Sequence, residues 1–134
     1  MTTIRTANDV LATPGKASNI ALWTLQVLVA LAFVAAGSGK LLGSADMIAL
    51  FEAVGIGQWF RYVTALLEVV GAVLLVVPGK TAFGAVLLAC VMAGAVVAHL
   101  TVLHTAATAP VVLFALTTLI AWGRRSQLTG VLGS

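Results

Sequence analysis

The chain alternates between long apolar stretches and short polar or glycine-rich breaks. An apolar run of roughly 17 to 25 residues predicts a helix that crosses a bilayer. The pattern therefore predicts four spans, at about 19–36, 59–77, 81–103 and 106–122. Between the first two lies a shorter segment of different character. Met47, Ile48, Phe51 and Val54 recur at helical spacing with Asp46 and Glu52 among them, which predicts a short amphipathic helix on the bundle or in the interface. Ser44 is placed to cap it, and Gly55 and Gly57 to end it. The Pro78-Gly79-Lys80 turn is so short that the second and third spans must form an antiparallel hairpin. The predicted fold class is all-α: an integral membrane four-helix transmembrane bundle with an amphipathic helix between spans one and two.

Within the spans, residue types divide the faces. Gln26, Phe33, Gly37 and Lys40 share one helical stripe of the first span, and a stripe of that mixture faces protein rather than lipid. In the third span Ala85, Ala89 and Ala93 recur every fourth residue, as do Cys90, Gly94 and Ala98. Small residues at this spacing let helix backbones approach closely in lipid. Pro110 falls in the first turns of the fourth span, where its missing N–H does least harm.

The flanks complete the division. Residues 1–18 are polar and read as a flexible cytoplasmic N-terminal tail, 19–123 as the four-helix transmembrane domain, and 124–134 as a short cytoplasmic tail. Asp9 interrupts a weak basic region, and the following apolar run is longer than a signal-peptide core. Arg5, Lys16, Lys80, Arg124 and Arg125 lie on one side of the predicted topology, against Lys40 and Arg61 on the other. The positive-inside rule then makes both termini cytoplasmic and turns the amphipathic helix, His99 and His104 outward.

Composition sharpens this picture. The chain is 61% hydrophobic and 8% charged, with a mean hydropathy of +1.14. A soluble domain carries about 25% charged residues, so the solvent here is largely lipid. The net charge of +3 sits at segment ends, with no basic stripe, and nucleic acid is excluded as a partner. Cys90 is the one cysteine, which leaves no pair for thiol–disulfide chemistry and reads as a small packing residue. His99 and His104 are five residues apart rather than four, unsupported by a thiolate or second carboxylate, so no metal site is expected. Gly37-Ser38-Gly39-Lys40 is too short for a nucleotide-binding loop.

Glu68 is the anomaly. It lies at the centre of the second span, where an ionised carboxylate costs about 3 kcal/mol on insertion scales. Its helix neighbours Thr64, Ala65, Gly71 and Ala72 are small, so its face packs against another helix. Lys40 and His99, each near the outer end of a span, are the expected partners, and all three are expected in the outer half of the bundle. The pair with Lys40 would be either a structural ion pair or part of a site in which Glu68 and His99 exchange protons with a ligand. Gln26 joins Lys40, Glu68 and His99 in that second reading. His99 alone is also explained by a hydrogen bond to a backbone carbonyl.

LAFVAAGSGKLLG at 31–43 and YVTALLEVVGAVLLVVPGKT at 62–81, followed by a small-rich third span, resemble the DoxX/DoxX-like family of small bacterial membrane proteins. Phe33, Gly37, Lys40, Glu68, Gly71 and Gly79 carry the match, over about residues 20–122. The resemblance implies a four-helix protein of the bacterial plasma membrane. It also implies an accessory or scaffold subunit of a membrane oxidoreductase, since some relatives look like subunits of a thiosulfate:quinone oxidoreductase or of a complex linked to oxidative-stress defence. The alternative is a site at Glu68, Lys40 and His99 for a quinone or other lipid-soluble ligand. Redox-complex subunits, further copies of the chain and the bilayer are the expected partners. A proton pathway is disfavoured, because the inner halves of spans two to four read as almost purely apolar.

Overall fold

The apolar stretches fold as helices, and the polar groups at their ends lock them together. The computed structural model describes residues 15–132. Its elements are α1 (Lys16–Leu42), α2 (Ala45–Val54), α3 (Gln58–Leu75), α4 (Thr81–Thr101), α5 (Thr108–Gly123) and α6 (Arg125–Leu132). No strand occurs among the described residues. Three helices, α1, α3 and α4, are long and apolar enough to cross a membrane, and α5 is a shorter apolar helix. Of the tail expected over residues 1–18, residues 1–14 lie outside the described residues, while Lys16, Ala17 and Ser18 are not tail but the first turn of α1.

Two boundaries differ from the sequence reading. The first helix does not stop near residue 36 but runs on to Leu42. Gly37 and Gly39 are helical, and Gly37 is there for contact: a Cβ on it would meet Val69 Cγ2 at 2.9 Å and the Ala65 carbonyl at 3.3 Å. The stop is Gly43, in the left-handed region at φ 69°, with Ser44 N–H donating to the Gly39 carbonyl in a Schellman-type ending. At the other end, residues 125–132 form α6 rather than a plain polar tail, and Ala82 N–H donates to Gln127 Oε1 at 2.9 Å. The amphipathic helix is α2, as its pattern requires. Ser44 is its N-cap residue but makes no side-chain capping bond.

The long helices pack up and down. α1 lies along α3, α3 along α4, and α4 along α5, with a sparser α1–α5 contact. Val29, Ala30, Phe33, Ala72, Leu75, Ala85, Leu88, Met92 and Ile120 form the shared core. Large apolar side chains such as Leu28, Leu31, Leu66, Val97 and Leu119 point outward and are more than half exposed. So wide an apolar exterior suits hydrocarbon and would be an aggregation liability in water.

Candidate functional site

Two polar clamps set the α1–α3 register. Gln26 Nε2 donates to the Leu75 carbonyl at 2.8 Å. Arg61 Nη1 donates to the Lys40 carbonyl. The pairs are fourteen residues apart on both helices (40 − 26 and 75 − 61), about 21 Å of helix. Each clamp reaches a carbonyl in a final helical turn, where helical partners run out: among the described residues the Lys40 carbonyl otherwise accepts only a long 3.3 Å bond from Gly43 N–H, and the Leu75 carbonyl is shared with Thr81 Oγ1. Arg61 also brings positive charge to the C-terminal end of α1, where the helix dipole favours it. Arg61 is therefore not a simple interface residue: it is 5% exposed, and Gln58 Oε1 accepts from its Nε at 2.9 Å.

Glu68 lies midway between the clamp levels, seven residues from Arg61 and seven from Leu75. It is 1% exposed. Lys40 bridges the distance with its methylene stem and places Nζ 3.0 Å from both carboxylate oxygens. The lysine side chain is 14% exposed, so the pair is sealed on the glutamate side and less so on the lysine side. Two of the three ammonium hydrogens are used in this contact, and the carboxylate keeps spare lone pairs.

The pair forms part of the wall of a cavity of about 560 Å³. Its origin is a difference along the α3–α4 seam. Near the turn the seam is closed: a Cβ on Gly84 would meet the Gly71 carbonyl at 2.7 Å and Leu75 N at 2.9 Å. Further along, Gly94 lines the cavity, and a Cβ there would meet nothing within 4 Å. Into the space project Met47, Leu50, Phe51 and Val54 from α2, Phe33 and Lys40 from α1, and Thr64, Leu67 and Glu68 from α3. Val91, Ala95, Ala98 and His99 of α4, with Pro110 and Leu113 of α5, complete most of the wall. Phe51 and Phe60 meet edge to face at 6.0 Å and hold α2 against α3.

The expected constellation is thus brought together only in part. Lys40 meets Glu68. His99 shares the cavity but bonds neither of them among the described residues; its Nδ1 pairs with Thr105 Oγ1 at 2.8 Å, a side-chain hydroxyl rather than a backbone carbonyl. Gln26 is absent from the cavity and belongs to the opposite clamp. Cys90, expected as a packing residue, is exposed and borders the cavity. Among the described residues, no group of three or more His, Cys, Asp or Glu side chains is arranged to hold a metal ion.

The sequence reading missed what surrounds Gln26. Thr81 Oγ1 also donates to the Leu75 carbonyl, at 3.0 Å, and accepts from Gln26 Nε2 at 3.3 Å. Arg124 Nε donates to Gln26 Oε1 at 2.8 Å, and its Nη1 to Asn19 Oδ1 at 2.6 Å. Arg124 is therefore a buried tie between α1 and the end of α5, more than a topology signal. Beside the inner halves of spans two to four, read as almost purely apolar, lies a polar network supplied by α1, by the first residue of α4 and by the α5–α6 turn. Gln26 was the available signal, since a buried amide inside a span requires partners.

An all-helical fold, apolar helices of spanning length and a largely apolar exterior define a membrane protein. The DoxX-like family model matches residues 24–121, and the chain belongs to that family. No curated protein and no solved structure matches the chain.

Proposed function

We propose that this DoxX-like protein binds an uncharged lipid-soluble molecule in the cavity beside Lys40 and Glu68. The carrying observation is a mostly apolar space of about 560 Å³ with one ion pair in its wall. That volume lies within the range of small-molecule sites, roughly 300–1,000 Å³, and the combination of apolar lining with few polar groups is typical of them. The ion pair is neutral overall, so an uncharged head suits it better than an anion, which would compete with Glu68 for the ammonium. A carbonyl oxygen would accept the remaining Lys40 hydrogen, and a hydroxyl would donate to Glu68. A quinone meets the first requirement and its quinol the second. His99 and Glu68 are the candidates for proton exchange with such a head.

The reading includes a topology. All four long helices cross the bilayer of a bacterial plasma membrane as a four-helix bundle. The 16 residues of α5 rise about 24 Å, short of a hydrocarbon thickness near 30 Å, and local thinning absorbs the difference. Lys16, Lys80, Arg124 and Arg125 mark the cytoplasmic end, so the cavity lies toward the outer leaflet.

The experiment is a titration of the purified protein in mild detergent with a short-chain quinone, read by tryptophan fluorescence. Ala98→Phe puts an aromatic ring into the cavity, and it is expected to weaken binding at least tenfold with the melting temperature unchanged. Equal binding by parent and Ala98→Phe would sink the proposal. A second reading, an accessory subunit of a membrane oxidoreductase, is supported by a shallow groove on α4 and α5 that shares Cys90 with the cavity rim. Ala89, Cys90, Ala93, Phe114, Thr118 and Ala121 line it, and small residues of this kind admit a neighbouring helix. Cross-linking in native membranes, followed by identification of the attached subunit, tests that reading.

A further inference from the structure

Arg124 carries a positive charge that its surroundings among the described residues do not balance. The residue is 9% exposed. Its hydrogen-bond partners among the described residues, Gln26 Oε1 and Asn19 Oδ1, are both neutral, and the Trp23 ring centroid lies 5.7 Å from the guanidinium carbon. Its remaining nitrogen, Nη2, is enclosed and has no hydrogen-bond partner among the described residues. The carboxylates among the described residues are Asp46, Glu52 and Glu68. The first two are on α2, at the opposite end, and Glu68 is taken by Lys40. Burial lowers the Arg124 pKa from its ordinary value, the direction for a desolvated cation, yet an arginine stays protonated. An enclosed cation with an unused donor calls for an anion.

Position narrows the choice of anion. Arg124 is the turn residue between α5 and α6, beside Arg125 and the exposed Trp122 and at the same end as Lys80. Tryptophans and cations together mark a bilayer interface, where the abundant anions are lipid phosphates. The guanidinium fork matches phosphate oxygens in geometry as well as charge. We propose that Arg124 anchors a phosphate site that takes the headgroup of an anionic bilayer lipid, whose oxygen completes the bonding of Nη2. Because Nη2 is enclosed, the headgroup reaches it through a local rearrangement at the α5–α6 turn, where Arg124 itself lies. This site is separate from the cavity and stands whether or not the cavity binds a ligand.

The test uses the full chain in nanodiscs of phosphatidylcholine alone or with one quarter phosphatidylglycerol, followed by thermal unfolding. Phosphatidylglycerol is expected to raise the melting temperature of the parent by several degrees. That increment is expected to vanish in Arg124→Gln and to persist in Lys80→Gln and Arg125→Gln. Arg124→Lys, which keeps the charge but not the fork, is expected to retain less than half of it and serves if Arg124→Gln does not fold. Inorganic phosphate added to phosphatidylcholine discs separates the sources: stabilisation there supports a soluble phosphate as occupant, and stabilisation by phosphatidylglycerol alone supports the lipid. An equal increment in parent and Arg124→Gln overturns the site. So does an Asp9→Asn variant that abolishes the increment and is as unstable as Arg124→Gln, since the counter-charge would then come from the chain itself.

Discussion

Removing either member of the Lys40–Glu68 pair strands the other, and the two losses are unequal. Breaking a buried ion pair costs about 3–5 kcal/mol, because the survivor remains desolvated and unpaired. Glu68→Gln leaves the lysine, whose side chain is 14% exposed and ends a flexible stem. It is expected near the lower figure, about 3 kcal/mol, or roughly a 150-fold shift in the unfolding equilibrium. Lys40→Met leaves the carboxylate unpaired at 1% exposure, and is expected to cost more. The double variant strands no charge and is expected to lie closer to the parent than either single variant. Its coupling energy should reach at least about 2 kcal/mol. Equilibrium unfolding in mixed micelles, followed by tryptophan fluorescence, measures all four forms. A Glu68→Gln protein within about 0.5 kcal/mol of the parent refutes the reasoning, and so does an additive cycle. Glu68→Gln costing more than Lys40→Met would refute the assignment of which side of the pair is sealed.

The α3–α4 seam gives a paired test with one atom type. Gly84→Ala drives a methyl against the Gly71 carbonyl and Leu75 N, backbone that cannot move aside, and is expected to cost about 1–3 kcal/mol by thermal unfolding. Gly94→Ala adds the same methyl to open space and is expected to be neutral, or to stabilise by up to about 1 kcal/mol through helix propensity. Gln26→Leu removes the acceptor of Arg124 Nε and the donor to Leu75, and is expected to cost about 3 kcal/mol in the same assay. A loss under about 1 kcal/mol would mean that the clamp is not needed to hold the helices.

How far the sequence could be read depended on whether a signal was local. The apolar runs, the amphipathic segment and the Pro78-Gly79 turn lie within single stretches, and each matches an observed element. Lys40 and Glu68 were found because a lone carboxylate inside a span is conspicuous and demands a cation. Gly37-Ser38-Gly39 misled because glycine is a helix breaker by propensity but also a means of close packing, and only the position of Val69 decides between the two. The Gln26 network was invisible for another reason. Arg124 and Thr81 are ordinary end-of-helix residues along the chain. They become buried partners of Gln26 only because α1 starts more than two turns before it and runs past the ends of the other helices.

That overhang links the clamps to the cavity. With Gln26 fixed opposite Leu75 and Lys40 opposite Arg61, α1 and α3 cannot slide by a turn without losing both bonds. The same register puts Glu68 halfway between the clamps, within reach of the Lys40 stem. Gly71 and Gly84 then fix where α4 is pressed against α3, at the turn end, so the seam can open only toward α2. The open part is where Lys40 and Glu68 face an apolar space. The cavity therefore depends on contacts at the far end of the molecule. A substitution at Gln26 or Gly84 is expected to disturb ligand binding without touching a lining residue, whereas Ala98→Phe acts by occupying the space. Titrating Gln26→Leu with the same quinone at a temperature where it remains folded separates the two effects. Unchanged affinity in that variant would show that the cavity is held by α2 and its aromatic contact with α3 rather than by the register of α1.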